Sequence, residues 1–208
     1  MASSLDYIKD NGQQEIMLVL PKNSGLKTYT KIFLDRYPEL REHKVIEVRG
    51  EDVPFWISQL TKKGKKVYGF TGEDLYQEYL MDNPEDGIIE ILGKIEWDDP
   101  AAIYTKPALC LIGPDDKDIE DLPKDMTLCA SKKYRGIVRN YLKRYRTNGF
   151  EIKEIYVNGS VETSCSEGIS DAVIDIVYSG RSMKECGLRI YDVIFKSDCV
   201  ILGGKKND

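Results

Sequence analysis

The chain has 208 residues, of which 41% are hydrophobic, and its formal charge is −5 because 30 Lys and Arg residues face 35 Asp and Glu residues. Such a length suits one large domain or two lobes of about 100 residues each, and the composition argues against a globally disordered chain. An acidic protein is also a poor candidate for non-specific nucleic-acid binding, which depends on neutralising phosphates.

Targeting and membrane signals are the next features that the sequence can exclude. No apolar run approaches the ~20 residues that are needed to span a bilayer. Residues 1–14 are polar and have no apolar core of the signal-peptide type. We therefore expect a soluble, cytoplasmic protein that binds neither membranes nor nucleic acids.

Cysteine and histidine usage limits the chemistry. The 5 cysteines are scattered without a Cys-x-x-Cys pair, which argues against a disulfide framework and against a zinc site, and no residue is assigned as a metal ligand. The 1 histidine, His43, lies in a charged run, and nothing nearby indicates a nucleophile elbow. Hydrolase mechanisms with a histidine base are thus disfavoured. Reactions that depend on positioning and charge stabilisation are not.

Short apolar runs alternate with amphipathic ones along the chain. Strands are predicted at 15–20, 44–49, 66–70, 108–113, 126–130, 150–157, 172–178, 188–195 and 198–202. Helices are predicted at 29–37, 52–64, 73–79, 137–149 and 182–187. Residues 88–95 are compatible with a strand but are left open. This alternation predicts an α/β fold with mostly parallel sheets, and the change of pattern near 100–107 predicts a crossover between two lobes.

The most informative segment is 170–187, where an apolar strand runs into a small-residue turn at 179–182 and then a one-turn helix. Backbone N–H groups at such a turn, helped by serine hydroxyls and an arginine, suit phosphate binding. Asp175 lies in mid-strand, where a carboxylate is costly outside a ligand site, and Asp171 shares its face. The alternative remains open that Asp171 caps the strand and 179–182 is an ordinary connection.

Further turns follow predicted strands at their carboxyl ends, where open α/β sheets place ligands. One contains Lys22, one begins with Thr71 and Gly72, and one ends at Glu162. Each of these turns is also compatible with a plain helix cap. A ligand cleft between the two lobes is the site that this architecture favours.

Seven segments are informative when they are taken in order. They are PKNSGL at 21–26, VRGEDVP at 48–54, GFTGEDL at 69–75, ASKKY at 130–134, GSVE at 159–162, DIVYSGRSM at 175–183 and SDCVI at 197–201. Together they resemble the ATP phosphoribosyltransferase family, which catalyses the first step of histidine biosynthesis. Their order and spacing across residues 15–202 carry the resemblance.

The resemblance implies a fold like that of type II periplasmic binding proteins, with two lobes, two crossovers and mixed, mostly parallel sheets. Lobe I would comprise 1–104 and 190–208, and lobe II would comprise 105–189 with the phosphate loop. The implied reaction transfers phosphoribosyl from phosphoribosyl pyrophosphate to N1 of ATP and releases pyrophosphate, with Mg²⁺ as cofactor. In length the chain resembles the short-form members of the family, which work with a separate regulatory subunit. This likeness further implies a homo- or hetero-oligomer with a subunit that resembles a histidyl-tRNA synthetase.

The resemblance also implies roles for individual residues. The 5′-phosphate would be held by Ser179, Gly180, Arg181 and Ser182. Asp175 would face the ribose hydroxyls, and Lys22 and Arg49 would lie near pyrophosphate or the ATP phosphates, which makes these three the candidate catalytic residues. The other candidate substrate-binding residues are Glu162, Asp171, Thr71 and Gly72.

An alternative follows from departures in the N-terminal half. The first turn has Leu26 and Lys27 where the family carries an arginine, and the stretch between Lys22 and Arg49 is shorter than is usual in the family. The alternative function is a non-catalytic or regulatory paralogue that binds a phosphorylated ligand in the cleft between the lobes.

Overall fold

The computed structural model describes residues 15–205, so the polar segment 1–14 and residues 206–208 lie outside the described residues. The chain divides into two compact units, one running up to Trp97 and resuming at Asp198, the other comprising Asp98–Ser197. Each unit contains a five-stranded sheet. Within residues 15–205, no helix combines the length and the apolar character that crossing a bilayer would require.

Strands and helices alternate through most of both units. In chain order they are β1 (Ile16–Pro21), α1 (Lys27–Arg36), β2 (Lys44–Val48), α2 (Val53–Lys62), β3 (Lys66–Gly72), α3 (Glu73–Asp82), β4 (Ile89–Ile95), β5 (Ala108–Pro114), β6 (Thr127–Ser131), α4 (Arg135–Thr147), β7 (Lys153–Val157), α5 (Val161–Ser166), β8 (Ala172–Val177), α6 (Arg181–Glu185), β9 (Leu188–Lys196) and β10 (Cys199–Gly204).

The first unit is built on the sheet β2-β1-β3-β10-β4. β1 runs parallel to β2 and β3, whereas β10 runs antiparallel to β3 and β4. β1 is buried along its whole length, as expected for a central strand that is covered on both faces. The rings of Phe33 on α1 and Phe70 on β3 stack at 5.3 Å between centroids, so the helix is fixed on the sheet by the core.

The second unit is built on the sheet β7-β6-β8-β5-β9. β6 runs parallel to β7 and β8, whereas β5 runs antiparallel to β8 and β9. Val173 and Val177 of β8 belong to a buried cluster with Val161 and Cys165 of α5 and Met183 of α6. The two short helices therefore pack on one face of the sheet and hold the turns that precede them.

The predicted strands and helices are confirmed, and the segment left open at 88–95 contains β4. The α/β fold class with mixed sheets is confirmed as well. Parallel pairing does not predominate, however: two of the four neighbouring pairs are parallel in each described sheet, because β10 and β5 run against their neighbours.

The boundaries of the units differ from the predicted lobes, 1–104 with 190–208 and 105–189. Residues 98–104 and 190–197 belong to the second unit. The physical reason is pairing: β9 forms a ladder with β5 from Leu188 to Lys196, and the N–H of Ile103 donates to the carbonyl of Tyr178 at 2.9 Å.

Candidate functional site

Three parallel strands of the second unit end at the same edge of its sheet. β6 lies between β7 and β8, with Ser131 opposite Val157 and Ala130 opposite Ile174. The turns that follow these strands therefore emerge side by side, which is where ligands bind in sheets of this type. These turns contain the segments 132–134, 158–162 and 178–182.

The 179–182 loop connects β8 to α6. Gly180 has φ +69°, a left-handed conformation that glycine adopts without steric cost. The N–H groups of the first turn of a helix have no acceptor within the helix. Ser179, Arg181 and Ser182 are exposed. The hydroxyl of Ser179, the guanidinium of Arg181 and the first backbone amides of α6 thus lie together in this loop.

A second left-handed residue precedes α5. Ser160 has φ +54°, which is uncommon for a residue other than glycine and is often found at functional sites. Glu162 stands in the first turn of α5, and its Oε1 accepts a hydrogen bond from the hydroxyl of Ser182 at 2.8 Å. The structure therefore brings Glu162 and the 179–182 loop into direct contact.

Asp175 lies on β8, close below this edge. Its side chain has the same strand parity as Val173 and Val177, both of which are buried in the cluster under α5 and α6. A carboxylate between two core valines carries a desolvation cost that would otherwise favour an apolar residue. Packing alone therefore does not require a polar group at position 175.

The environment of Asp175 raises its pKa to about 6, mainly because the carboxyl group is buried. The N–H of Ile176 donates to Oδ1 of Asp175 at 2.9 Å, and this hydrogen bond lowers the pKa of Asp175. The negative charge of Glu162 raises that pKa, and the positive charge of Lys133 lowers it. Lys133 is not among the predicted site residues. The available signal was its position two residues after β6, within the segment 130–134 that carries part of the resemblance.

Asp171 lies at the other end of β8. Its Oδ2 accepts a hydrogen bond from the N–H of Thr127, the first residue of β6, at 2.7 Å. Four residues of extended chain separate it from Asp175, a distance of about 13 Å. The structure does not bring Asp171 together with the 179–182 loop, because the two lie at opposite ends of β8; the contact that it shows is the hydrogen bond to the start of β6.

Lys22 and Arg49 come together in the first unit. β1 and β2 end side by side, with Pro21 opposite Val48, and the N–H of Lys22 donates to the carbonyl of Val48 at 2.8 Å. Both basic side chains are exposed. Arg49 lies 3.9 Å from the carboxylate of Glu51 with 71% of its side chain accessible, so its guanidinium is available to an anion.

Thr71 and Gly72 are buried, and Thr71 holds a neighbouring turn in place. The hydroxyl of Thr71 donates to the carbonyl of Gly50 at 2.7 Å, and the N–H of Gly50 donates to Oδ1 of Asn23 at 2.7 Å. A Cβ at Gly50 would lie 2.8 Å from Leu75. The hydroxyl of Thr71 is thus engaged inside the unit, and the role of Asn23 was missed because its partner is 27 residues away.

The chain is similar to known proteins over most of its length. The family described as HisG: ATP phosphoribosyltransferase matches residues 49–208. An ATP phosphoribosyltransferase of Bacteroides thetaiotaomicron is 30% identical over 162 residues, which cover 78% of this chain and 50% of that protein. One of Campylobacter fetus subsp. fetus is 27% identical over 204 residues, which cover 92% of this chain and 90% of that protein. The chain therefore spans about half the length of the first relative and most of the second.

Solved structures support the fold. The ATP phosphoribosyltransferase (HisG:HisZ) complex of Thermotoga maritima matches with a TM-score of 0.67 and 21% identity, over 91% of this chain and 87% of that one. The periplasmic aliphatic sulphonate binding protein SsuA of Escherichia coli matches with a TM-score of 0.56 and 16% identity, over 92% of this chain and 65% of that one. With the family match extending over most of its length, the chain belongs to the ATP phosphoribosyltransferase family.

Proposed function

We propose that the protein is an ATP phosphoribosyltransferase, which transfers the phosphoribosyl group of phosphoribosyl pyrophosphate to N1 of ATP and releases pyrophosphate, the first step of histidine biosynthesis. The observation that carries this proposal is the hydrogen bond between Ser182 of the 179–182 loop and Glu162, at the edge of the second sheet where the strand that bears Asp175 ends. The names of the relatives support it.

The 5′-phosphate is assigned to the 179–182 loop. The amides at the start of α6 point out of the helix, and a phosphate between them receives hydrogen bonds from several donors at once. Ser179 adds a hydroxyl donor and Arg181 adds a positive charge. The hydroxyl of Ser182 donates to Glu162, so Ser182 contributes its backbone amide. Phosphate contacts of this kind fix the ribose ring without any covalent bond to the protein.

The ribose hydroxyls are assigned to Asp175 and Glu162. With a pKa of about 6, Asp175 is mostly ionised at neutral pH and accepts hydrogen bonds from hydroxyl groups. As the bond to pyrophosphate breaks, positive charge develops on the ribose ring. Fixed carboxylates near that ring stabilise the charge, so the reaction requires no nucleophile from the enzyme.

Pyrophosphate and the ATP phosphates are assigned to Lys22 and Arg49 of the first unit. Both side chains are exposed at the ends of adjacent strands. Cationic side chains stabilise the negative charge of the leaving group in the transition state. Thr71 enters the proposal only as a residue that holds these turns, and Gly72 only as the buried residue that precedes α3. Asp171 is left out of the substrate contacts.

Magnesium is proposed as the cofactor. Among residues 15–205, no group of three or more His, Cys, Asp or Glu side chains could hold a metal ion. Mg²⁺ commonly binds through one or two carboxylates together with substrate phosphates, and the donor set of Asp175 and Glu162 fits that pattern. When bound, the ion supplies charge neutralisation to the phosphate oxygens.

A regulatory partner is also proposed. The related Thermotoga maritima structure is a complex of HisG with HisZ. We propose that this chain works in a hetero-oligomer with a subunit of that kind, resembling a histidyl-tRNA synthetase, in the cytoplasm.

The test is a direct assay with ATP, phosphoribosyl pyrophosphate and Mg²⁺, with and without a HisZ-like subunit, in which phosphoribosyl-ATP is measured. We expect product in at least one of the two conditions and a strong loss of it in Asp175→Asn. Absence of product in both conditions would overturn the proposal. Binding of phosphoribosyl pyrophosphate without turnover, measured by calorimetry, would then indicate the non-catalytic paralogue.

A further inference from the structure

A segment at the start of the second unit folds against the residue that precedes the 179–182 loop. The N–H of Ile103 donates to the carbonyl of Tyr178 at 2.9 Å, and the hydroxyl of Tyr178 donates to Oδ2 of Asp99. Tyr178 is thereby held both through its backbone and through the end of its ring. Because Ser179 follows it directly, these contacts define where the loop begins.

Asp99 is itself fixed by a tight turn. Its Oδ1 accepts the N–H of Ala101 at 2.9 Å, and its own N–H donates to the carbonyl of Thr105 at 2.8 Å. Thr105 has φ +59°, a conformation that L-residues adopt at a cost and that requires support from surrounding contacts. The acceptor of the Tyr178 hydroxyl is therefore held in place before any ligand binds.

The side chain of Ile103 lies against the middle of the loop. A Cβ added to Gly180 would come within 2.5 Å of Cδ1 of Ile103, so Ile103 covers the α-carbon of Gly180. Ile103 is a large apolar residue that is nevertheless 44% exposed. On its other side the loop is held by the hydrogen bond from Ser182 to Glu162.

We infer that Asp99, Ile103 and Tyr178 together position the 179–182 loop to receive a phosphate monoester. These three residues are called the clamp. The inference rests on the proposed function of that loop as a phosphate site. Amides and hydroxyls bind one phosphate tightly only when they converge on it, and a loop that is already ordered avoids the entropy cost of ordering on binding. None of the segments that carry the family resemblance includes residues 98–105.

The clamp residues act through the loop and are positioning residues. Tyr178→Phe removes the hydrogen bond to Asp99, and Asp99→Asn weakens it by removing the charge of the acceptor. Ile103→Ala removes the side chain over Gly180. A hydrogen bond to a charged group corresponds to a change of about tenfold in an equilibrium constant. We expect each of the first two variants to weaken binding by about that factor, and the pair together to be no worse than either alone.

The experiment measures dissociation constants of ribose 5-phosphate and phosphoribosyl pyrophosphate for the full chain by calorimetry, together with the midpoint of thermal unfolding. The matched control is Tyr191→Phe, which removes a tyrosine hydroxyl bonded to the carbonyl of Pro114 at 2.9 Å. Pro114 lies at the end of β5 that is remote from the loop, since Ala108 pairs with Val177. Ile103→Leu keeps a large apolar side chain over Gly180. It serves as the conservative variant and should bind more tightly than Ile103→Ala.

The outcomes separate the clamp from the proposed function. If the wild type binds and the Tyr178 and Asp99 variants bind about tenfold more weakly while Tyr191→Phe binds normally, the clamp is supported. If the wild type binds and both variants bind equally well, the clamp is overturned and the phosphate site stands. If the wild type binds neither compound, the proposed function and the clamp fall together. If Tyr191→Phe weakens ligand binding as much as the Tyr178 and Asp99 variants do, the effect reflects a general loss of stability, and the clamp is also overturned.

Discussion

The hydroxyl of Ser182 and the carboxylate of Glu162 meet at 2.8 Å, and this hydrogen bond joins the start of α6 to the first turn of α5. The two residues lie 20 positions apart on turns that follow different strands. Glu162 also acts on the charge of Asp175, whose pKa it raises. Glu162 is thus the residue through which the loop and the buried carboxyl group are connected.

The first prediction concerns the pKa of Asp175. We expect Glu162→Gln to lower this pKa from about 6, because a neighbouring negative charge disfavours ionisation. The value should stay above the ordinary 3.8, since burial remains the main cause of the rise. Lys133→Met should raise it. The measurement is a carboxyl-carbon NMR titration with Glu120→Gln, in the exposed acidic loop, as the control; shifts of the same sign in the two site variants would contradict the assignment.

The second prediction concerns stability and its dependence on pH. The pKa of Asp175 is raised from 3.8 to about 6 in the folded protein, so the folded state holds a proton that the unfolded state releases between these values. Asp175 therefore costs no stability below pH ~4 and costs about 2 to 3 kcal/mol above pH ~6. We expect Asp175→Asn to raise the free energy of unfolding by that amount at pH 7.

Urea unfolding of the wild type and Asp175→Asn at pH 4 and pH 7 measures this difference. The gain should be confined to the higher pH. A variant that is equally stabilised at both values, or destabilised at pH 7, would show that the buried carboxylate is compensated by a contact in the folded state.

The third prediction is that activity and stability respond to Asp175→Asn in opposite directions. Asparagine keeps an acceptor oxygen but loses the negative charge that stabilises positive charge on the ribose. We expect turnover to fall by about 100-fold or more, while the protein remains folded by circular dichroism. Wild-type turnover in the folded variant would remove Asp175 from the set of catalytic residues.

The fourth prediction concerns Gly180. We expect Gly180→Ala to destabilise the protein by about 1 to 2 kcal/mol for the left-handed backbone alone, and by more because the new Cβ would lie 2.5 Å from Ile103. Adding Ile103→Ala should recover the stability lost through the contact with Ile103, but not the stability lost through the left-handed backbone. Chemical unfolding of the two single variants and the double variant gives the coupling energy; additive effects would show that the two residues do not touch.

The fifth prediction concerns the turns of the first unit. Thr71→Val removes the donor to the buried carbonyl of Gly50, and an unpaired buried acceptor costs about 1 to 3 kcal/mol. Thr71→Ser keeps the hydroxyl and should cost less. If the valine variant instead weakens ATP binding with unchanged unfolding free energy, Thr71 faces the ligand and the structural role assigned to it is wrong.

Much of the secondary structure was predictable because it is local. The apolar runs of β1, β5 and β8 and the turn at 179–182 are each encoded within a few neighbouring residues, so periodicity and turn chemistry locate them. The sequence pattern does not decide whether 88–95 form a strand. The partner that fixes β4, β10, lies more than 100 residues later. The direction of β5 and β10 was missed for the same reason, because local pattern does not specify which strand will be a neighbour.

The site was predictable to the extent that it lies at strand ends. Glu162, Asp175 and the 179–182 loop are brought together as the strand pattern indicates. The engaged hydroxyl of Thr71 and the contact of Ile103 with Gly180 depend on long-range packing. The sequence alone gives the identity of such residues but not the direction in which their side chains point.

The position of β10 has a consequence for biosynthesis. This strand lies between β3 and β4, yet it is made after every residue of the second unit. On the ribosome, residues 98–197 emerge as one continuous stretch and have all their strands available. Until 199–204 are made, the earlier residues have one open sheet edge, β3, and one strand, β4, that lacks its partner. Open edges and unpaired strands can pair with other chains. The half that is translated first is therefore the half that completes its folding last.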